Sequence, residues 1–157
     1  MLRIKHITEE GSDLAIVRDL FRDYEKELNE DICFQSFEAE LKDPLKKYGL
    51  PDGDLILAWW DDEIAGCVAL TKMKDDQACE MKRLYVKPAL RKNKIGRILI
   101  EELLSSAKER DYKVMRLDTF LKLEAAVHLY HQFGFKDISA YYDNPLPGVV
   151  YMEKELC

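Results

Sequence analysis

Seven bases and no acid fall between Lys82 and Arg97: Lys82, Arg83, Lys87, Arg91, Lys92, Lys94 and Arg97. The densest part, Arg91-Lys92-Asn93-Lys94-Ile95-Gly96-Arg97, follows an apolar run that ends at Pro88 and precedes a segment of helical periodicity. A strand, a tight loop and a helix start in that order aim several backbone N–H groups and the positive end of a helix dipole at one spot, which suits a phosphate. Gly96 lets a ligand approach the backbone without a Cβ, and the Lys and Arg side chains supply charge. A plain surface loop ahead of a helix would carry the same residues. The opposite charge collects in residues 9–43, with twelve acids against four bases, net −8. Two such segments suggest either two differently charged ligands or two solvated faces.

The elements that must position these groups belong to a chain of 157 residues with a formal charge of −6, 47% hydrophobic and 34% charged. That size and balance predict one globular domain, 1–157, able to fold without disulfides or a structural metal. The longest apolar runs, such as Leu55–Trp60, fall short of the roughly 18 residues of a membrane span. Arg3 and Lys5 interrupt any leader-like apolar stretch, so a cytoplasmic location is expected. Cys33, Cys67, Cys79 and Cys157 lack C-x-x-C spacing and read as reduced thiols. His128 and His131 have no acid-rich partner at ligand spacing, so no metal is expected.

Periodicity gives the order. Leu2, Ile4 and Ile7 mark a short strand. Leu14, Val17, Leu20, Phe21, Tyr24 and Leu28 form the stripe of a helix over 12–28 with Ser12 as N-cap. Phe34, Phe37 and Leu41 predict a second short helix, ended by Pro44. Leu55–Trp60 and Ile64–Thr71 read as a hairpin across Asp61-Asp62-Glu63, with Trp59 and Trp60 on opposite sheet faces. Ala78–Val86 is the next strand, and a helix follows from about Lys94 to Arg110. Strand Val114–Thr119, a helix through Ala126, Leu129, Tyr130 and Phe133 capped by Gly134, and strands Lys136–Ile138 and Val149–Glu153 complete the chain. The order β-α-α-β-β-β-α-β-α-β-β predicts an α/β domain with a mixed sheet and helices on both faces.

Three groups of residues then stand at a recognisable joint spacing: Leu84-Tyr85-Val86-Lys87-Pro88 with Arg91-x-x-x-x-Gly96-Arg97, Leu117-Asp118, and Ala126-x-x-x-Tyr130-x-x-x-Gly134-Phe135. On them the chain resembles the GCN5-related N-acetyltransferase (GNAT) superfamily. The resemblance implies a mostly antiparallel sheet of six to seven strands and acetyl-CoA as cofactor. The pantetheine arm would pair with the backbone of Leu84, Tyr85 and Val86, and the pyrophosphate would sit on Arg91, Lys92, Asn93, Lys94, Ile95, Gly96 and Arg97. Two departures stand out. Lys94 occupies the place of the loop's first glycine, and Leu123 that of an asparagine that often opens the penultimate helix.

Acyl transfer to an amine has its own demands. An alkyl amine has a pKa of about 10.4 and must lose a proton before attacking a thioester. Glu80, at the start of the strand leading to the loop, is the candidate base, though it could equally be a strand-end acid paired with Lys82. Tyr130 matches the family's usual general acid, a role that packing on its helix also permits. In the family the helices after the first strand and the loop between the last two form the acceptor side. Here these are the acidic 9–43 arm and Tyr141–Gly148, which suit a cationic primary amine of a small molecule or peptide. Tyr24, Asp31 and Gln35 are candidate contacts. A homodimer is a further candidate association, and neither nucleic acid nor membrane is an expected partner. A CoA-binding module without catalysis is the alternative that Lys94 and Leu123 leave open.

Overall fold

The computed structural model describes residues 1–30, 32, 36–75 and 77–156. Strand β1 (Leu2–His6) leads to α1 (Ser12–Leu28), α2 (Phe37–Lys42) and α3 (Pro44–Tyr48), followed by β2 (Asp54–Trp60), β3 (Glu63–Lys72) and β4 (Ala78–Val86). A 3-10 helix over Pro88–Asn93 precedes α4 (Ile95–Glu109), β5 (Val114–Phe120), α5 (Glu124–Gln132), β6 (Lys136–Ile138) and β7 (Val149–Glu155). The strands make one seven-stranded sheet in the order β1-β2-β3-β4-β5-β7-β6. Every neighbouring pair is antiparallel except β4 and β5.

Side-chain alternation divides the interior in two. Leu55, Leu57 and Trp59 join Leu14, Val17, Leu20, Phe21 and Phe37 under α1 and α2. Ile56 and Ala58 join Ile95, Leu99, Leu103, Tyr130 and Phe135 on the opposite face, with Trp60 packed partly against them. Period-2 patterning on the strands meets period-3.6 stripes on the helices, so each helix buries one face against the sheet. The hairpin turn Asp61-Asp62 has both residues at positive φ, 48° and 69°, the geometry that matches the twist of the flanking strands. Gly134 takes φ 91° after α5, as the cap spacing predicts.

One local expectation is corrected and another extended. Gly11, not Ser12, is the N-cap of α1, and no side chain caps it. The helix around Phe37 and Leu41 does stop before Pro44, with Asp43 as C-cap, but Pro44 also opens the first turn of α3, where a missing N–H removes no hydrogen bond.

The site is made by an irregularity at the centre of the sheet. Cys67 pairs with Tyr85 and Ala69 with Lys82, so Val68 faces both Arg83 and Leu84, and Arg83 takes φ 60°. This β-bulge bends β4. Pairing with β5 is confined to Ala78–Glu80 against Val114–Arg116, and the two parallel strands then part. Beyond the bulge Gly66 approaches β4 so closely that a Cβ would lie 2.3 Å from the Tyr85 carbonyl oxygen.

Candidate active site

Where β4 and β5 diverge, a cleft of about 690 Å³ opens. Leu84, Tyr85 and Val86 form one wall, Leu123, Ala126 and Leu129 the other, and Lys92, Lys94, Gly96 and Arg97 its far end. A narrow cavity of about 40 Å³ continues from it between the strands, reaching Lys82, Asp118 and Tyr130. Tyr24, Leu28, Leu84, Leu123 and Ala126 line both spaces.

The basic segment separates into used and unused charge. Arg83 pairs with Glu40, and Arg91 with Glu27 at 2.5 Å. Arg91 Nε also donates to the Val86 carbonyl at 2.8 Å, so this guanidinium ties α1 to the end of β4. Arg97 donates to the neutral Gln132 side chain at 2.7 Å. Among the described residues Lys92 and Lys94 have no acidic partner, and both line the cleft. The backbone N–H groups of Ile95, Gly96 and Arg97 open α4 and lack the helical acceptors of later residues. The Ile95 side chain lies in the core, and the Asn93 amide donates to the Leu90 carbonyl at 3.3 Å.

Lys94 sits at φ 60°, ψ 23°, as the N-cap of α4. This left-handed geometry is the one a glycine would adopt freely, so the departure from the family loop leaves the turn in place at some backbone cost. Gly96 has room. A Cβ there would stand 3.6 Å from Leu129 Cδ2 and 3.8 Å from Val86 Cγ2, ordinary contact distances. Gly96→Ala is therefore expected to be neutral or stabilising by roughly 0.5 kcal/mol, while weakening CoA binding by placing a methyl group in the cleft. Thermal melting beside calorimetry checks both halves.

Three tyrosines from the β6–β7 segment, Tyr141, Tyr142 and Tyr151, cluster edge-on or tilted with ring centroids 5.2–5.6 Å apart. Tyr141 donates to Glu80 Oε2 at 2.6 Å, and Tyr142 donates to Asp118 Oδ2. Lys82 Nζ stands 4.0 Å from Glu80 and 3.8 Å from Asp118. Glu80 is therefore a half-buried carboxylate with a phenol beside it, and it keeps the ion pair with Lys82 that the strand-end reading expected. Burial first, then the neighbouring Glu80, raises the Tyr141 phenol well above its ordinary value. Burial and Asp118 do the same for Tyr142. Both remain neutral donors to the carboxylates.

Tyr130 is buried, packs edge-on against Phe135 at 6.0 Å and lines the narrow cavity. Its hydroxyl has no hydrogen-bond partner among the described residues. Burial, with smaller contributions from Tyr24 and Asp118, raises its phenol well above the usual value, so the group carries its proton at neutral pH. Tyr24, expected on the acceptor side, lines both the cleft and the narrow cavity. Asp31 and Gln35 lie outside the described residues.

Asp118, Lys82 and the Tyr141–Tyr142 pair gain importance from the tertiary structure. Asp118 carries a signal in the sequence: it is the one acid in the strand Val-Met-Arg-Leu-Asp-Thr-Phe. The bulge has one as well. Apolar Cys79 and Met81 hold odd positions, and after Arg83 the apolar side chains packed on that face are Leu84 and Val86, a shift of phase.

A mixed sheet split between its central parallel strands, with a basic helix start at the split, defines the acyltransferase class of fold. Solved structures agree. An acetyltransferase of the GNAT family from Staphylococcus aureus superposes with a TM-score of 0.80, at 22% identity over 99% of this chain and 100% of that one. A Bacillus subtilis acetyltransferase in complex with CoA superposes at 0.69, with 23% identity and full coverage of both chains. The acetyltransferase (GNAT) family pattern matches residues 14–135. An uncharacterized N-acetyltransferase of Schizosaccharomyces pombe is 41% identical over 92% of this chain and 89% of its own length. A second, from Dictyostelium discoideum, is 31% identical over 88% and 92%. The chain belongs to the GNAT acetyltransferase family and is an N-acetyltransferase.

Proposed function

We propose that the protein transfers an acetyl group from acetyl-CoA to a cationic primary amine of a small molecule or peptide, by direct attack while both are bound. The observation that carries this is one continuous space. It runs from Lys92 and Lys94, which have no acidic partner among the described residues, along Leu84–Val86, to a buried phenol and a carboxylate. The cleft fits the cofactor because β4 leaves β5 without ladder pairing beyond Glu80, so its backbone edge can meet an amide-bearing arm. Lys92, Lys94, Arg97 and the first N–H groups of α4 would hold the phosphates.

When bound, acetyl-CoA supplies an activated thioester. The protein's own groups handle protons. Glu80 and Asp118, bridged by Lys82, form the acidic site that accepts a proton from the incoming ammonium, directly or through water. The Tyr130 hydroxyl donates its proton to the departing sulfur. The clustered rings of Tyr141, Tyr142 and Tyr151 suit a cation beside the carboxylates. Much of the acidic arm serves another purpose, because Glu27, Glu30 and Glu40 pair with Arg91, Lys122 and Arg83. The attraction for a cationic acceptor thus rests on the half-buried Glu80 and Asp118 more than on the arm. A cytoplasmic location fits the buried free thiols of Cys67 and Cys79.

Thiol release from acetyl-CoA against a panel of amines, with acidic and neutral analogues, tests the reading. Faster turnover of cationic acceptors is expected, and preference for acidic or neutral ones overturns the acceptor class.

A further inference from the structure

Arg83 keeps a left-handed backbone in the middle of a central strand, a conformation that residues with a Cβ hold only where their surroundings impose it. Its side chain is buried. Nε donates to Glu40 Oε2 at 2.8 Å and Nη2 to Glu40 Oε1 at 3.1 Å. The rings of Phe37 and Tyr24 stand 5.3 and 5.7 Å from the guanidinium. Lys47 Nζ lies 3.7 Å from Glu40 on the other side. Burial alone would raise the Glu40 carboxyl, but the hydrogen bonds and charge of Arg83 outweigh it and hold it below the usual range.

Strand parity shows what this pair does. Cys79 and Met81 pack on the α4 side of the sheet. Unbulged alternation would carry Arg83 and Tyr85 to that same apolar side, and Leu84 and Val86 to the other. The bulge reverses the assignment: Tyr85 packs under α1, and Leu84 and Val86 pack toward α4. A guanidinium on the α4 side would lie among apolar side chains such as Met81, Ile95 and Leu99, whereas on the α1 side it meets Glu40.

We propose that Arg83 and Glu40 are a positioning pair: their contact selects the bulged register of β4, and so holds the Leu84–Val86 edge clear of β5. The proposal rests on the reading that this edge carries acetyl-CoA. It also makes α2 a support for the cofactor strand.

The test is CoA calorimetry, acetyl-CoA kinetics and thermal melting of full-length wild type, Glu40→Gln, and the double variant Glu40→Leu with Arg83→Met. Glu40→Gln keeps the volume and removes the charge. Its CoA affinity is expected to fall by about tenfold or more, with KM for acetyl-CoA rising and kcat little changed. The double variant replaces a buried pair by apolar groups and is expected to regain melting temperature, yet to stay about tenfold or more weaker for CoA, because nothing then selects the bulge. Recovery of wild-type CoA affinity along with stability overturns the proposal. Should the double variant not fold, unchanged CoA affinity in Glu40→Gln overturns it by itself. A wild type that binds no CoA removes the proposed function; a wild type and variants that bind equally remove only the positioning role.

Discussion

Replacing Tyr130 by Phe is expected to lower kcat by about 10²–10³-fold, the usual contribution of a positioned acid, while CoA affinity and the melting midpoint stay near wild type. The split follows from the geometry. The ring fills a core position against Phe135, and Phe preserves that packing. The hydroxyl donates to nothing among the described residues, so its removal breaks no hydrogen bond among them. It does line the cavity that continues from the cleft. A group that contributes little to the fold but faces the reaction space acts, if at all, in the transition state, which is the signature of a fall in kcat without a fall in binding. Steady-state kinetics beside calorimetry decides it, and unchanged turnover removes Tyr130 from the mechanism.

The second large effect is expected at Gly66. An alanine methyl there would stand 2.3 Å from the Tyr85 carbonyl oxygen and 3.1 Å from the Val86 Cα. Both are backbone atoms of a paired central strand, so neither can rotate aside as a side-chain end would. Overpacking of this kind costs roughly 3 kcal/mol, and for a chain of this length the melting midpoint would fall by roughly 6–12 °C. The displaced atoms are those of the cleft wall, so CoA affinity should fall with stability. Gly96→Ala separates the two causes, since its methyl group has space in the fold and reaches only the cleft. If Gly66→Ala melts like wild type, β3 and β4 do not approach as described.

Local chemistry was legible in the residues. The basic loop before an amphipathic helix needs only adjacent positions and helical period, and the fold places it where the spacing puts it. The hairpin at Asp61-Asp62 and the cap at Gly134 likewise depend on neighbours alone. Glu80 was legible as an acid near the loop, but not as one of two half-buried carboxylates beside Lys82. Tyr141 is 61 residues away, and Asp118 comes to it across a parallel strand connection. Arg83 read as one more base in a run. Its partner Glu40 lies 43 residues earlier in the chain, and no periodicity relates them.

The sequence by itself determined the element order, the amphipathic faces and the segregation of charge into a basic segment and an acidic arm, because these follow from neighbouring residues and fixed periods. Only the tertiary structure decided what the charges do. Folding spends Arg83 and Arg91 on Glu40 and Glu27, leaves Lys92 and Lys94 facing the cleft, and gathers Glu80, Lys82 and Asp118 beside three tyrosines. A charge's partner depends on distance in space, and burial makes that partnership obligatory.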